Sequence, residues 1–341
     1  MHKINYFILA LLTIFISGCS ESNPTISQIQ SFTIEASIRA ILPIENELWF
    51  AGSNGKYGFI SDNEVKIDSL FLEDKPLHFR AIGASNQGVY ILTVENPALL
   101  YKVEKNLKTS LVYREEHNKV FYDAIAFNQN GDFGVAMGDP TDNCISVIIT
   151  KNGGETWTKV SCDKLPKVNV GEAAFAASNS NISIIENTIY IVSGGKKSRI
   201  FKSEDLGDTW KVFETPIIQD GTMTGIFTTD FYDKKNGIIM GGNWEDKQSI
   251  KQTKAITSDG GETWKVIEGI PGYISCVQYI PNSKGEKLLA TSTEGIYYSI
   301  DSGFNWLQLS NEGYYTLRFE NDTTFWVGSN EVITSYKLNY E

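Results

Sequence analysis

The hydrophobic residues of this chain fall in short runs separated by turns rich in Gly, Asp, Asn and Ser. Apolar runs of about five residues bounded by such turn formers are typical of β-strands. No stretch shows the 3.6-residue hydrophobic period of an amphipathic helix over a useful length. We therefore predict an all-β fold.

The predicted strands group into seven units of similar length. Each unit opens with an apolar strand entered through one variable residue and continues into a second strand that ends in Gly or a polar turn. The openings begin at Ser37 (SIRAI), His78 (HFRAI), Phe121 (FYDAI), Gly171 (GEAAF), Met223 (MTGIF), Tyr273 (YISCV) and Tyr314 (YYTLR). Seven units of about 44 residues match the blades of a β-propeller. We predict one seven-bladed propeller domain over residues 31–341.

The last unit lacks a strand. It ends after its third strand, VITSYKL, while the strand SFTIEA at Ser31–Ala36 precedes the first unit without a partner. We expect this N-terminal strand to pair within residues 313–338 and to close the ring, which would cover edges that otherwise favour aggregation.

Four units share a turn motif between their third and fourth strands. Its frame is Ser or Thr, then Asp or Asn two residues later, Gly two after that, and Trp three further on. The acidic or amide side chain can accept backbone N–H groups across the turn, Gly supplies positive φ, and Trp fills a gap between units. We predict a structural role for these pairs: Asn152 and Trp157, Asp205 and Trp210, Asp259 and Trp264, and Asp301 and Trp306.

The motif resembles the Asp-box, or bacterial neuraminidase repeat, found on hairpins of β-propellers. Its successive Trp residues lie 53, 54 and 42 residues apart. These distances are close to propeller repeats of about 40 to 50 residues. The resemblance implies a propeller and leaves the function open.

The N-terminus has the features of an export signal. Lys3 precedes an apolar run from Tyr6 to Ile16, followed by Ser17, Gly18 and Cys19. The Ile-Ser-Gly-Cys ending resembles a bacterial lipobox, which implies a signal peptide over 1–18, lipid on Cys19 and a flexible tether over 19–30. The alternative is a plain signal peptide with a coincidental Cys. We expect a lipid-anchored envelope protein, at the outer membrane or the periplasmic face.

The net charge and the positions of the cysteines limit which ligands the protein can bind. Without residues 1–18 the chain has 29 basic and 41 acidic residues, a formal charge of −12, which argues against nucleic-acid binding. The spacing of the cysteines matches no zinc pattern and we expect no cofactor. Cys144 and Cys162 lie symmetrically about Gly153 at a turn, so we predict a disulfide between them.

Further runs resemble the photosystem II stability and assembly factor family of seven-bladed propellers. They include FYDAIAF from Phe121, GDP from Gly138 and GEAAFAAS from Gly171. For photosynthetic members the resemblance implies a non-catalytic role in binding a membrane-protein intermediate. We expect a monomeric, non-catalytic protein-binding module whose client is open. The oxidoreductase activity ascribed to similar bacterial proteins lacks support, since no dinucleotide-binding Gly-rich turn occurs.

A glycosidase is the rival hypothesis, because sialidases share the Asp-box. HFRAI with Arg80 resembles their arginine-bearing motif, but Ala81-Ile82 stands where that motif has Ile-Pro. The rival requires three arginines on one carboxylate, and a sialidase-like hydrolase or a glycan-binding propeller remains open.

Strand direction predicts where a binding site lies. Strands alternate in direction within a unit, so the first-strand entries and the loops after the second strands share one face. We expect these entry and loop residues to ring the channel mouth: Arg39, Arg80, Asp123, Glu172, Thr224, Ser275, Tyr315, Asp139, Asn243 and Trp244. Arg39 and Arg80 either pair with Asp123 and Glu172 or form a cationic patch for a client's carboxylates.

Overall fold

The computed structural model describes residues 23–340, so Cys19 and the signal sequence lie outside the described residues. The prediction of an all-β fold is confirmed, since the described chain consists of β-strands and one 3-10 turn at Cys162–Lys164. No helix of the described part is long and apolar enough to cross a membrane.

The strands are short and follow one another as antiparallel hairpins. The first ten are β1 (Thr25–Ile44), β2 (Glu47–Gly52), β3 (Lys56–Ser61), β4 (Glu64–Ser69), β5 (Phe71–Leu72), β6 (Lys75–Pro76), β7 (Phe79–Ser85), β8 (Gly88–Thr93), β9 (Ala98–Val103) and β10 (Thr109–Glu115). The next ten are β11 (Tyr122–Phe127), β12 (Gly134–Gly138), β13 (Ser146–Thr150), β14 (Thr158–Lys159), β15 (Glu172–Ala173), β16 (Ile182–Ile185), β17 (Thr188–Val192), β18 (Gly194–Gly195), β19 (Arg199–Ser203) and β20 (Lys211–Glu214). The remainder are β21 (Thr224–Phe231), β22 (Gly237–Asn243), β23 (Lys254–Thr257), β24 (Lys265–Val266), β25 (Cys276–Tyr279), β26 (Leu288–Ser292), β27 (Gly295–Ser299), β28 (Leu307–Ser310), β29 (Thr316–Phe319), β30 (Thr324–Gly328) and β31 (Asn330–Asn339).

These strands form separate sheets, most of which follow the order of the chain, and β5 and β6 form a two-stranded sheet of their own. Units two, three, four and six are the four-stranded sheets β7–β10, β11–β14, β16-β17-β19-β20 and β25–β28. Unit five is β21–β24, with the short pair β15-β18 added at the edge of its first strand. Units one and seven share one sheet of order β29-β30-β31-β1-β2-β3-β4.

The shared sheet exists because β1 is twenty residues long and serves both units. Its first part pairs with β31, with Thr25 opposite Asn339 and Phe32 opposite Ile333. Its second part pairs with β2 from Ile38 onward. The first and last strands of the described chain are therefore hydrogen-bonded to each other.

Unit four begins later than predicted. Its first strand is β16, whereas the GEAAF run from Gly171 forms the two-residue strand β15 and then leaves the sheet. The run has the apolar pattern of an opening strand, but only Glu172 and Ala173 are in a ladder, opposite Gly195 and Gly194. The chain after β15 instead enters the centre of the molecule.

The turn motif forms hydrogen bonds within its own turn. Asp259 accepts the amide of Thr263 at 2.9 Å, and Trp264 donates its indole N–H to the Gly261 carbonyl at 3.1 Å. In the first copy Gly154 has φ of +93°, and a Cβ there would lie 2.3 Å from the Tyr90 ring. Trp157 is buried among side chains of units two and three. The motif thus fastens a turn against the neighbouring unit.

Cys144 and Cys162 form a disulfide, with Cα atoms 5.6 Å apart. It connects the loop before β13 to the 3-10 turn after β14, and Cys144 lies in the apolar core of units three and four. The bond encloses a loop with a sequence separation of 18 residues.

We predict that replacing both Cys144 and Cys162 with Ser lowers the free energy of unfolding by about 3 kcal/mol, because the unfolded chain gains the loop's entropy. Urea unfolding of the purified wild type and variant measures this difference. Wild-type protein under reducing conditions should match the variant. Equal stability of oxidised wild type and variant would contradict the prediction.

Candidate functional site

The first strands of units one, two and three each carry a bulged residue. The ladders skip a residue between Ile38 and Ala40, between Phe79 and Ala81, and between Tyr122 and Ala124. The skipped residues are Arg39, Arg80 and Asp123. A bulge re-aims a side chain, and these three project into the centre where the units meet.

Residues 174–181, which we call the central segment, cross that centre. The segment is bonded to the first strands of the surrounding units. In units two and three, the Asn179 amide donates to the Ile82 carbonyl and its oxygen accepts the Ile125 amide. In units five and six, Ser180 bonds Thr228 and Ser178 donates to the Ser275 carbonyl. The segment therefore ties together sheets that are far apart in sequence.

Three arginines donate to consecutive carbonyls of the central segment. Arg80 reaches the Ala176 carbonyl at 3.4 Å and Arg39 the Ala177 carbonyl at 3.1 Å. Arg318, from the first strand of unit seven, donates to the carbonyls of Ser178 at 3.1 Å and Asn179 at 2.7 Å. These bonds satisfy backbone groups that would otherwise be buried without partners.

The central segment lies between two pockets. The mouth pocket, of about 340 Å³, lies on the face where the first strands begin, and Arg39 and Arg80 line it. The lower pocket, of about 290 Å³, lies towards the opposite face, which carries the turns of the Asp-box-like motif, called box turns below. Arg318 lines this pocket with Asp230 and Gln278. Three arginines around one carboxylate, as the sialidase hypothesis requires, are therefore not assembled among the described residues.

The two arginines of the mouth pocket have no carboxylate within 4 Å among the described residues. The Arg39 guanidinium lies 3.9 Å from the centre of the Tyr315 ring, a cation–π contact. Arg80 donates weakly to the Nε2 atom of His78 at 3.5 Å. Burial lowers the pKa of both guanidinium groups from their ordinary value. Of the two predicted alternatives, the pairing of these arginines with Asp123 and Glu172 is therefore not formed.

Glu172 forms an ion pair with Arg199 instead of with the arginines of the mouth pocket. Its carboxylate accepts two hydrogen bonds from Arg199, at 2.9 and 2.6 Å, inside the protein. It also accepts the hydroxyl of Ser193. This buried, bidentate pair fixes the start of the GEAAF run. Glu172 does not line the mouth pocket, which corrects its predicted place there.

Two aspartates lie on the acidic side of the mouth. Asp139 lines the pocket and accepts the Ala174 amide at 2.8 Å. Asp123 is fully buried and neither of its carboxylate oxygens has a hydrogen-bond partner. Burial, reinforced by Asp139, raises the pKa of Asp123 well above its usual range. Burial also raises the pKa of Asp139 to about 6.

Aromatic rings form the remaining wall. Phe175 of the central segment stacks on Phe227, with ring centroids 3.9 Å apart and planes 7° from parallel. Tyr273 meets Phe227 edge-on at 4.8 Å, and Trp244 meets Tyr273 at 5.3 Å. The mouth thus combines guanidinium groups with an aromatic surface.

The other predicted mouth residues have mixed positions. Trp244 lines the pocket as expected, and Tyr315 supports Arg39. Ser275 is buried and donates to the Tyr315 carbonyl at 2.7 Å, while Asn243 accepts the Glu245 amide in its own loop. Thr224 is buried and bonds Gly221, because the bulge of unit five lies at Phe227 instead. Thr224 and Ser275 therefore support the mouth without lining it, which corrects their predicted role.

Sequence reasoning missed Phe227, Phe175 and Arg318. Phe227 could have been found, because it precedes Thr228 as Arg39 precedes Ala40 in the bulged pattern. Phe175 and the central segment had no local signal. Within residues 23–340, no group of three or more His, Cys, Asp or Glu side chains could hold a metal ion.

We predict that Asp139→Asn stabilises the protein at neutral pH. The folded pKa of about 6 exceeds the unfolded value, so the carboxyl favours folding only while protonated and loses that contribution as pH rises through 6. The amide oxygen of Asn can still accept the Ala174 amide. Melting temperatures should coincide near pH 4 and diverge in favour of the variant by pH 7. A constant difference across this range would contradict the assignment.

No family model and no curated protein matches the sequence. Solved structures do match it. One is the structure of YCF48, a photosystem II assembly factor, bound to D1 peptide. It aligns with a TM-score of 0.65 and 15% identity over 93% of this chain and 98% of that chain. YCF48 from Cyanidioschyzon merolae aligns with TM-score 0.62 and 14% identity, over 92% and 98%. The WD40 repeats of RRP9 align with a TM-score of 0.61 and 11% identity over 92% of this chain and 98% of that chain. The chain has a β-propeller fold similar to that of YCF48.

Proposed function

We propose that this protein is a lipid-anchored, non-catalytic propeller of the bacterial envelope that binds a protein client at its mouth pocket. In this proposal the seven units are blades, and the pairing of β1 with β31 closes the ring. The observation that carries the proposal is the pair Arg39 and Arg80, two half-buried cations without a carboxylate partner among the described residues.

The charge of the mouth favours an anionic group on the client. Each guanidinium has donors beyond the single carbonyl that it contacts, and a carboxylate can take two of them in parallel. Burial weakens competition from water, so such a pair gains more here than on the open surface. On a protein with a net charge of −11, a local cationic site also selects where an acidic segment can dock.

The aromatic wall suits a peptide more than a lone anion. Phe175, Trp244 and Tyr273 line the same pocket as the arginines. Buried aromatic and Arg side chains dominate the binding energy of protein interfaces. YCF48, whose fold is similar, has been solved bound to a D1 peptide, which supports peptide binding as a use of this fold. We therefore propose that an acidic residue beside an apolar one is recognised.

The fold also suggests how the mouth is oriented. The box turns follow the third strand of a unit, and β31 is the third strand of unit seven. Thr25 pairs with Asn339 at the end of β31, so the described chain begins on the box-turn face. A lipid on Cys19, six residues before Thr25, would hold that face near the membrane. The mouth would then point away from the bilayer, towards the exposed part of a client.

A photo-crosslinking experiment tests the location of the client site. We expect a benzoyl-phenylalanine placed at Thr222, an exposed residue of the mouth pocket, to capture a client in membranes of the native host. The same group at Asn130, exposed on the box-turn face, is the matched control. Capture of the same protein from both positions, or from Asn130 alone, would contradict the proposal.

A second test addresses the two cations. Arg39→Gln with Arg80→Gln keeps a polar side chain at each position and removes both charges. We expect client recovery to fall at least tenfold, in keeping with the loss of about 1.5 to 3 kcal/mol for a charged hydrogen bond. The melting temperature should change by only a few degrees. Arg114→Gln, which removes an exposed cation paired with Glu116, should leave recovery unchanged. Undiminished recovery by a folded double variant would reject the role of the cations.

A further inference from the structure

A groove distinct from the mouth pocket and the lower pocket lies on the box-turn face between units five and six. It has a volume of about 460 Å³, within the range of small-molecule sites, and is larger than the mouth pocket. The turn between β21 and β22, the end of β23 and the box turn of unit six form its walls. It is separate from the central channel and plays no part in the proposed client site.

The residues of this groove depart from the internal repeat. In each copy of the turn motif we compare the residue two positions before the Trp. It is acidic in three copies, Glu155, Asp208 and Glu262, whereas in unit six it is Phe304. Phe304 is 42% exposed. The fold does not require an apolar residue there, because three sister turns with the same hydrogen bonds carry a charge.

A second departure lies across the same groove. Tyr232 follows Phe231 after the first strand of unit five, as Asn128 follows Phe127 in unit three and Glu186 follows Ile185 in unit four. Those two residues are polar, and the apolar Ile280 that follows the first strand of unit six is buried, whereas Tyr232 presents a ring that is 42% exposed. Its ring lies 5.9 Å from that of Tyr279, which also lines the groove. Two independent exceptions to the repeat therefore converge on one space.

The polar groups of the groove give it a positive balance. Lys265 and Lys284 line it, both are exposed, and neither has a carboxylate within 4 Å among the described residues. The Lys265 ammonium lies 4.9 Å from the centre of the Phe304 ring. The carboxylate of Asp233 is occupied by its own turn, where it accepts the amides of Lys235 and Asn236. The groove therefore offers cations and hydrogen-bonding groups beside exposed rings.

We propose that this groove binds an anionic saccharide, a sugar chain that carries carboxylate groups. The apolar C–H face of a sugar ring would pack on Tyr232 or Phe304, whose π faces carry partial negative charge. Its carboxylate would pair with Lys265 or Lys284, and its hydroxyls would bond the side chains of Asn236 and Ser258. An acidic peptide fits less well, since β24 has only two residues and offers little free strand edge for backbone pairing.

Isothermal titration of the purified protein with three acidic oligosaccharides tests the proposal. The probes are trigalacturonate, a hyaluronan tetrasaccharide and 3′-sialyllactose, with maltotriose as the neutral control and pentaglutamate as the peptide control. We expect at least one acidic saccharide to bind at least tenfold more tightly than maltotriose and pentaglutamate. No acidic saccharide binding below about 10 mM, or equal binding of pentaglutamate, would overturn the proposal.

Variants that restore the repeat locate the site. Tyr232→Asn installs the residue of unit three, and Phe304→Gln installs a polar residue without adding charge, so both should fold. Each should weaken the acidic saccharide at least tenfold, and Lys265→Gln should reduce the preference over maltotriose. Phe71→Gln is the matched control, because Phe71 is an exposed aromatic residue outside the groove. Binding that survives Tyr232→Asn and Phe304→Gln together, or is lost equally in Phe71→Gln, would place the saccharide elsewhere and overturn the proposal.

Discussion

The structure depends on one constraint: a polypeptide that crosses the centre of the molecule must have its backbone groups hydrogen-bonded. The carbonyls from Ala176 to Asn179 meet this requirement by accepting from Arg80, Arg39 and Arg318. An unsatisfied buried carbonyl costs about 1 to 3 kcal/mol, so the arginines and the segment stabilise one another. The same bonds divide the centre into the mouth pocket and the lower pocket and thereby define which side chains a client can reach.

The properties of the mouth follow from this arrangement. Because each of its two guanidinium groups is held by a carbonyl instead of a carboxylate, the positive charge stays available to a ligand. Phe175 is brought onto Phe227 by the same segment, so the aromatic wall and the cationic wall have a common origin. On the opposite side, Asp123 is buried without a hydrogen-bond partner, and burial raises the pKa of its carboxyl, which favours its neutral form beside the arginines. A charged Asp123 would otherwise compete for them.

Much of the fold could be predicted from the sequence, because it is encoded locally. The box turns, the strand after each opening and the positions of Cys144 and Cys162 follow from turn chemistry and spacing. The start of unit four could not be predicted, since GEAAF has the apolar pattern of an opening strand. Its exit from the sheet depends on hydrogen bonds to the carbonyls of the central segment from residues far away in the sequence, such as Arg39 and Arg318. The ion pair of Glu172 with Arg199 was missed for the same reason. Aligning the units also misplaced Thr224, because a bulge moves the inward-facing residue three positions to Phe227.

The central segment can be tested directly by hydrogen–deuterium exchange of the peptic fragment that contains residues 174–181. The Ala174 amide is bonded to Asp139, the Ala177 amide to the Phe175 carbonyl, and the residues from Ala176 to Asn181 are buried. The account predicts protection close to that of the strands β17 and β22, which lie in the core. Exchange within seconds, at the rate of unprotected backbone amides, would show that the segment does not fill the centre and would contradict the account.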